Sequence, residues 1–316
     1  MLKNLQICKN FCIFVLQIAN TEQMNKYIPS LRLRTLPLSM SGIILGGGFA
    51  WQYFSATGTA FAVSRYIVVF VLAILTTLSL QILSNLSNEL GDALKGTDEQ
   101  QQSRVAYGLQ AGTLTYAEMM RFIGLFVVLS MIFGTALVLA AFRSLLCLQS
   151  ILFLGLGLLA IIGAMTYTLG KHNYGYKGYG DIGVFLFFGL LSTIGSFYLQ
   201  TQTVTLKVVQ AAVAIGLPIV GVLNLNNIRD RENDILHGKR SFAARIGKPA
   251  ATFYHAMLLA GCMALFAGIG CWYTLIALPV FVWQVWYIYT HDGKDLDKQM
   301  PVLMFTTIAI AVLAII

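Results

Sequence analysis

Charge is scarce in this chain. Only 11% of its 316 residues are charged, where a soluble domain carries about 25%. That shortage excludes an ordinary water-facing surface. Histidine, at 4 residues, is too sparse for a histidine metal cage. The 5 cysteines show neither metal-ligand spacing nor a disulfide framework. Cys147, Cys262 and Cys271 lie in or beside apolar runs and read as small packing residues. Cys8 and Cys12 are spaced for one helical face near the N-terminus. No Walker loop and no serine triad is present.

What is plentiful is apolar sequence, at 57% of the chain. Many runs approach the roughly 20 residues that cross a bilayer as a helix. Nine spans are expected, at about 36–54, 66–87, 122–142, 147–169, 181–199, 208–225, 252–271, 273–290 and 298–316. The expected fold is an all-α membrane protein with nine transmembrane helices around a central cavity. Charge placement orients it. With the N-terminus in the cytosol, all but Arg65, Arg143 and Lys207 of the 21 lysines and arginines fall on the cytosolic side. All 13 acidic residues fall there too. The C-terminus is then outside. Orientation and anionic headgroups explain most of the net charge of +8, so membrane lipid is an expected partner and nucleic acid is not.

Residues 1–24 read as an N-terminal extension, either disordered or lying before a later start at Met24; residues 25–316 read as a single domain. Segment 25–35 resembles an interfacial helix, with Lys26, Arg32 and Arg34 beside Tyr27, Ile28, Leu31 and Leu33. Its arginines either face a substrate or anchor headgroups. Loop 88–121 is long and polar, and Thr115 with Glu118 three residues on predicts a capped helix start. With loops 170–181 and 224–251 it is expected to form a cytosolic cap.

Two segments carry one polar signature: Asn85-x2-Asn88-x3-Asp92-x3-Gly96 and Asn227-x2-Asp230-x3-Asp234-x3-Gly238. Helical offsets of three and seven share a face. Each segment therefore aims amides and carboxylates one way where a helix leaves lipid. Asp98 and Glu99 follow the first copy, and Arg229, Lys239 and Arg240 accompany the second. Intramembrane polar groups face the bundle interior or water. The ordinary readings are interhelical hydrogen bonds and a solvated charged loop. The sharper reading is a Mg2+-bound diphosphate, because Mg2+ favours a few carboxylates plus substrate phosphates, and arginine grips phosphate bidentately. Lys171 and Lys177 are diphosphate contacts or positive-inside markers. Asp181 holds a polar partner in the site or caps a helix. Tyr167, Tyr174, Tyr176 and Tyr179 line a cavity or anchor the interface. Metal ions neutralise a departing diphosphate. If the donor is allylic, a carbocation results, and a dry membrane cavity protects it from hydrolysis.

At these residues the chain resembles the UbiA-type intramembrane prenyltransferases. The resemblance covers 25–316 and rests on RLRTLP at 32–37, NELGDALKGTD at 88–98, GYGDIGVFLFFG at 178–189 and NNIRDRENDILHGKRSFAARIG at 226–247. It implies Asp92, Asp230 and Asp234 as catalytic residues, and Mg2+ held by Asn88, Asp92, Asp98, Asp230 and Asp234. Arg229, Lys239, Arg240, Lys171 and Lys177 are expected at the diphosphate, and Arg32, Asn85, Asn227, Asp181 and Tyr167 at an aromatic substrate. Glu89 stands where the family commonly has aspartate, and is expected to point away from the metal. The last two stretches are most like the branch that prenylates 1,4-dihydroxy-2-naphthoate in menaquinone synthesis. The implied partners are thus a polyprenyl diphosphate and that naphthoate, with the active site facing the cytosol from a bacterial inner membrane. The other readings are an acceptor such as 4-hydroxybenzoate, a chlorophyllide or haem, and a secondary transporter. Transport fits poorly, since the acids lie at helix ends and not at the midplane.

Overall fold

The computed structural model describes residues 25–97, 106–171 and 173–316, all of it helices and their connections, with no strand among them. We number the long helices α1 (Leu36–Thr57), α2 (Val63–Leu94), α3 (Tyr116–Phe142), α4 (Leu148–Thr166), α5 (Gly180–Thr201), α6 (Leu206–Arg229), α7 (Phe242–Gly268), α8 (Leu278–Thr290) and α9 (Gln299–Leu313). Short 3-10 segments, Trp272–Ala277 and Gly293–Lys298, lead into α8 and α9. Counting those segments, eight helices are long and apolar enough to cross a membrane; α1 is not among the eight. It has 22 residues, but Gly46, Gly47, Gly48, Ser39, Ser41 and Gln52 dilute its hydropathy. Residues 1–24, with the proposed extension, Cys8 and Cys12, lie outside the described residues.

Helix α6 is the axis. Within its apolar stretch 72% of residues are buried, more than in the other spans. Ala211, Ala212, Ala214, Gly216 and Gly221 keep its surface low, so neighbours approach closely, as small residues allow in membranes. It packs chiefly on α7, α5 and α9. Helix α5 is irregular: Phe185–Leu191 winds as a π-helix, and there Gly189 lies against Gly216 of α6. Helix α2 runs through the first polar signature to Leu94, a turn and more beyond the expected 66–87.

Local chemistry explains the ends. Thr115 and Glu118 form the predicted capping box at the start of α3. At the far side, Arg65 Nη2 donates to the Ala141 carbonyl at 2.7 Å, Arg143 closes α3 in the left-handed region, and Lys207 lies 5.2 Å from the Phe49 ring. Arg65 and Lys207 thus have side-chain partners, and Arg143 a capping role through its backbone. The 25–35 helix does not form as one piece. It splits into Ile28–Leu31 and a 3-10 turn, Leu33–Thr35, because Arg32 adopts φ 50° and ψ 53°. A non-glycine residue there is held by its surroundings.

Helices α1 and α5 meet through small residues. A Cβ at Gly46 would overlap the Thr193 carbonyl oxygen, whereas one at Gly155 meets nothing within 4 Å. Gly46→Leu is expected to destabilise by roughly 1–3 kcal/mol or more, as overpacking does. Gly155→Leu should be near neutral. Thermal unfolding of purified protein checks this, and equal melting temperatures would contradict the α1–α5 contact.

Candidate active site

The two signatures converge at one end of the bundle. The C-terminal turns of α2 and α6, the start of α5 and the connecting loops meet over a cavity of about 350 Å³. Its mouth is polar, with Arg32, Asn85, Asn88, Asp92, Tyr107, Tyr167, Asn226, Asn227, Arg229 and Lys239; its depth is apolar, with Leu137, Phe153, Phe187, Phe188 and Leu191. Against the mouth lies a polar chamber of about 50 Å³, lined by Arg32, Asp92, Thr97, Tyr107, Asn226, Arg229, Asp230, Asn233, Asp234 and Lys239. Six residues, among them Arg32, Asp92, Arg229 and Lys239, line both.

The second signature is not one continuous helix. Helix α6 ends at Arg229, and Asp230, at φ −94° and ψ 5°, hands the chain to a short helix, Arg231–Leu236. The Asp234 amide still donates to the Asp230 carbonyl at 2.9 Å, so the two aspartates keep their one-turn relation. Asp230 accepts from Arg229 Nε at 2.8 Å and Nη2 at 2.6 Å. Asp234 is 1% exposed and pairs with Lys239 Nζ at 3.2 Å. Its Oδ2 has no hydrogen-bond partner. Burial raises its pKa, with Lys239 opposing. Burial also disfavours charge on Lys239, but the carboxylates of Asp234 and Asp92 outweigh it and raise the lysine pKa. Lys239 is therefore held charged against Asp234.

Tyr176 ties the two signatures together. Its hydroxyl donates to Asp92 Oδ1 at 2.7 Å and lies 2.7 Å from Thr97 Oγ1. Its ring lies 3.5 Å from Lys95 Nζ and 5.5 Å from Lys239 Nζ, and its carbonyl accepts from the Arg240 amide. Burial and then Asp92 raise its pKa, so it stays a neutral donor. Asn233 Nδ2 adds a bond to the Thr97 carbonyl at 2.9 Å.

The remaining expected residues divide. Asn88 lines the cavity and accepts from Thr168 Oγ1 at 3.3 Å. Tyr167 lines it beside Tyr174, edge to face at 5.2 Å. Asn85 also lines it, but its amide is committed to structure: Nδ2 donates to the Leu31 carbonyl at 3.0 Å and to Thr35 Oγ1 at 3.1 Å. That bond fixes the segment presenting Arg32. The Arg32 guanidinium lies 4.0 Å from the Tyr107 ring, and its Nε and Nη2 have no acceptor. Asn227 is buried and lines the cavity. Lys171, Lys177 and Arg240 are exposed and line neither space; Asp181, half-buried at the start of α5, also lines neither. Asp98 lies outside the described residues. Glu89 turns away, accepting from Ser30 Oγ at 3.2 Å and the Leu109 amide at 2.7 Å.

Sequence reasoning missed Asp297. Its carboxylate accepts from Arg229 Nη1 at 2.5 Å and from Arg34 Nη1 at 2.9 Å. It therefore joins the 3-10 lead into α9 to α6 and to the N-terminal segment. Tyr107 and Asn226 were missed as well. No local pattern marks Asp297 or Tyr107, because each reaches the site through a distant fold contact; Asn226 opens the stretch that carries the second signature and accepts from Arg229 Nη2. A metal fits this donor set in one way only. Among the described residues no three acidic, histidine or cysteine side chains form a metal cluster. Asp92, Asp230 and Asp234 instead offer oxygens around the chamber, with Asn88 on the adjoining cavity wall, and Asp234 Oδ2 has no hydrogen-bond partner. Mg2+ held by one or two carboxylates and completed by phosphate oxygens suits that arrangement.

Asp297→Ala leaves buried Arg229 short of one carboxylate. It is expected to cost about 3 kcal/mol, as breaking a buried pair does. Asp295→Ala removes only an exposed pair with Lys298 and should leave the melting temperature nearly unchanged. Thermal unfolding of the two variants decides; similar melting temperatures would contradict the role given to Asp297.

Comparison with known proteins gives the family and the fold. The UbiA prenyltransferase family matches residues 44–309. The chain is 41% identical to the 1,4-dihydroxy-2-naphthoate octaprenyltransferase of Escherichia coli strain K12, over 86% of each chain. It is 37% identical to the protein of the same name from Haemophilus influenzae, over 75% of this chain and 74% of that one. A solved UbiA homolog from Archaeoglobus fulgidus bound to DMAPP and Mg2+ shares the fold, with a TM-score of 0.60 at 16% identity, covering 92% of this chain and 99% of that one. The chain belongs to the UbiA prenyltransferase family.

Proposed function

We propose that this integral membrane protein transfers a polyprenyl group from its diphosphate to 1,4-dihydroxy-2-naphthoate, in menaquinone biosynthesis. The carrying observation is the pairing of spaces: a polar chamber bearing Asp92, Asp230 and Asp234 opens onto an apolar cavity. The chamber suits a diphosphate and the cavity suits its hydrocarbon. The identity to naphthoate prenyltransferases supports the acceptor.

The allylic C–O bond breaks, and diphosphate leaves with the electron pair. The ring carbon bearing the carboxylate forms the new C–C bond. Its bond to the carboxylate then breaks, the electron pair restores the aromatic ring, and carbon dioxide departs, giving demethylmenaquinol. Mg2+, when bound, neutralises the leaving diphosphate; Asp92, Asp230, Asp234 and Asn88 would hold it. Lys239 and Arg229 supply positive charge at the chamber wall. Arg32, with two free donors at the junction of both spaces, is suited to an acceptor carboxylate. The apolar wall excludes water from the cation. Positioning supplies much of the rate, since the dihydroxy ring is already electron-rich. We place the chamber on the cytosolic face of a bacterial inner membrane, with nine spans, the N-terminus inside and the C-terminus outside. The cationic bias of that end supports this orientation.

Asp92→Ala, Asp230→Ala and Asp234→Ala are each expected to lower turnover about 100-fold or more, as loss of a transition-state charge contact does, with helicity intact. Chelation should stop the reaction and Mg2+ restore it. Mass spectrometry of the product from purified protein, naphthoate and a defined allylic diphosphate is the direct assay. Near-normal rates in all three variants would sink the metal-diphosphate reading, and preference for 4-hydroxybenzoate would sink the acceptor.

A further inference from the structure

Tyr176 lines neither the cavity nor the chamber. It sits in the connection from α4 to α5, and that connection is fixed at both ends. On one side it docks on the end of α2. Thr168 Oγ1 donates to the Ser87 carbonyl at 2.9 Å, and a Cβ at Gly91 would overlap Thr168 Oγ1. Gly91 thus lets the connection seat directly on the turn that carries Asn88 and Asp92. On the other side the Tyr176 carbonyl accepts from the Arg240 amide at 2.9 Å, and a Cβ at Gly178 would overlap the Arg240 carbonyl oxygen. Tyr176 is therefore held between the two signatures and is itself buried.

The three chamber aspartates are partnered differently. Asp230 has Arg229 Nη2 at 2.6 Å and Asp234 has Lys239 Nζ at 3.2 Å. Asp92 takes a neutral donor instead, the Tyr176 hydroxyl at 2.7 Å from Oδ1. Yet a cation is close by: Lys95 follows Asp92 by three residues, a spacing that brings helical side chains together. Its charge is drawn elsewhere. Lys95 Nζ donates to the Thr168 carbonyl at 2.6 Å and lies 3.5 Å from the centre of the Tyr176 ring, within the range of a cation–π contact. One side chain thus does two things. Its face occupies the lysine, and its hydroxyl meets the carboxylate. Thr97 Oγ1, 2.7 Å from the same hydroxyl, fixes the direction of that bond.

The choice of a phenol has a consequence for a metal. An ion pair with Lys95 would cancel the charge that makes Asp92 a useful ligand. A neutral donor orients the carboxylate and leaves its charge intact. We propose that Tyr176 is a positioning residue that keeps Asp92 ready for the metal: its hydroxyl fixes Oδ1, its ring holds Lys95 aside, and Oδ2 remains for Mg2+. This rests on the functional reading above and adds how one of its carboxylates is kept from a competing cation.

The test reads metal affinity and not turnover. Mn2+, which also suits carboxylate oxygens, is titrated by calorimetry into purified protein holding a non-hydrolysable geranyl diphosphate analogue. Tyr176→Phe keeps the ring and the lysine contact and removes only the hydroxyl, so the fold should tolerate it. Its Mn2+ affinity should fall about tenfold or more, as when a ligating group loses the partner that orients it. Tyr176→Leu also removes the aromatic face, and affinity should fall further. Adding Lys95→Met to that variant should return affinity to the Tyr176→Phe level, whereas Lys95→Met in the Tyr176→Phe background should change it little. Unchanged Mn2+ affinity in Tyr176→Phe would overturn the role given to Tyr176, and so would failure of Lys95→Met to rescue folded Tyr176→Leu protein. If the unsubstituted protein binds no Mn2+ in the presence of the analogue, the metal-diphosphate reading fails and this role fails with it.

Discussion

The site depends on charges that are neutralised in place at the edge of an apolar bundle. Three aspartates line a chamber barely open to solvent, and an uncompensated buried carboxylate there would cost several kcal/mol. Each has a local partner: Arg229 for Asp230, Lys239 for Asp234, and the Tyr176 hydroxyl for Asp92. Arg229 is itself shared with Asp297. These pairings let the protein carry acidic helix ends into a water-poor space before substrate arrives. A metal-diphosphate would enter by substitution, with Arg229 and Lys239 turning to phosphate oxygens and Asp230 and Asp234 supplying oxygens to the metal. The chamber is therefore preorganised without being a closed metal cage.

Backbone irregularities aim these groups. Helix α6 stops at Arg229, which lets Asp230 and Asp234 turn across the bundle toward Asp92. Arg32 is set in a left-handed conformation and pinned from α2 through Asn85. The π-helix in α5 carries Gly189, which lies against Gly216 of α6. Regular helices here would have packed closed; the interruptions fall where ligand space is needed.

Much of this was legible in the sequence. Long apolar runs located α1 to α9, because hydropathy over about 20 residues is a strong signal. The capping box was legible because it is local. The repeated Asn/Asp spacing marked Asn88, Asp92, Asp230 and Asp234, since helical periodicity fixes which residues share a face. What was not legible arises at long range. Tyr176 meets Asp92 across 84 positions and Asp297 meets Arg34 across 263. Lys171, Lys177 and Arg240 share the charge and neighbourhood expected of diphosphate ligands, but loop geometry turns them outward. The 25–35 segment looked like one amphipathic helix, yet tertiary bonds at Asn85 and the ring of Tyr107 break it at Arg32. Helix α1 was expected at 36–54 and forms at Leu36–Thr57, although the glycines that pack it on α5 weaken its membrane signal.

The central claim is that the two acid-bearing helix ends hold one and the same metal-diphosphate. A double-mutant cycle on Asp92→Asn and Asp234→Asn, reading the affinity of a non-hydrolysable allylic diphosphate analogue in the presence and absence of Mg2+, tests it directly. Groups that share a ligand show strong non-additivity. The account predicts that with Mg2+ the double substitution weakens binding far less than the two single losses combined, and that the coupling vanishes without the metal. Additive losses with Mg2+ present would show that the two ends act on separate ligands, and would contradict it.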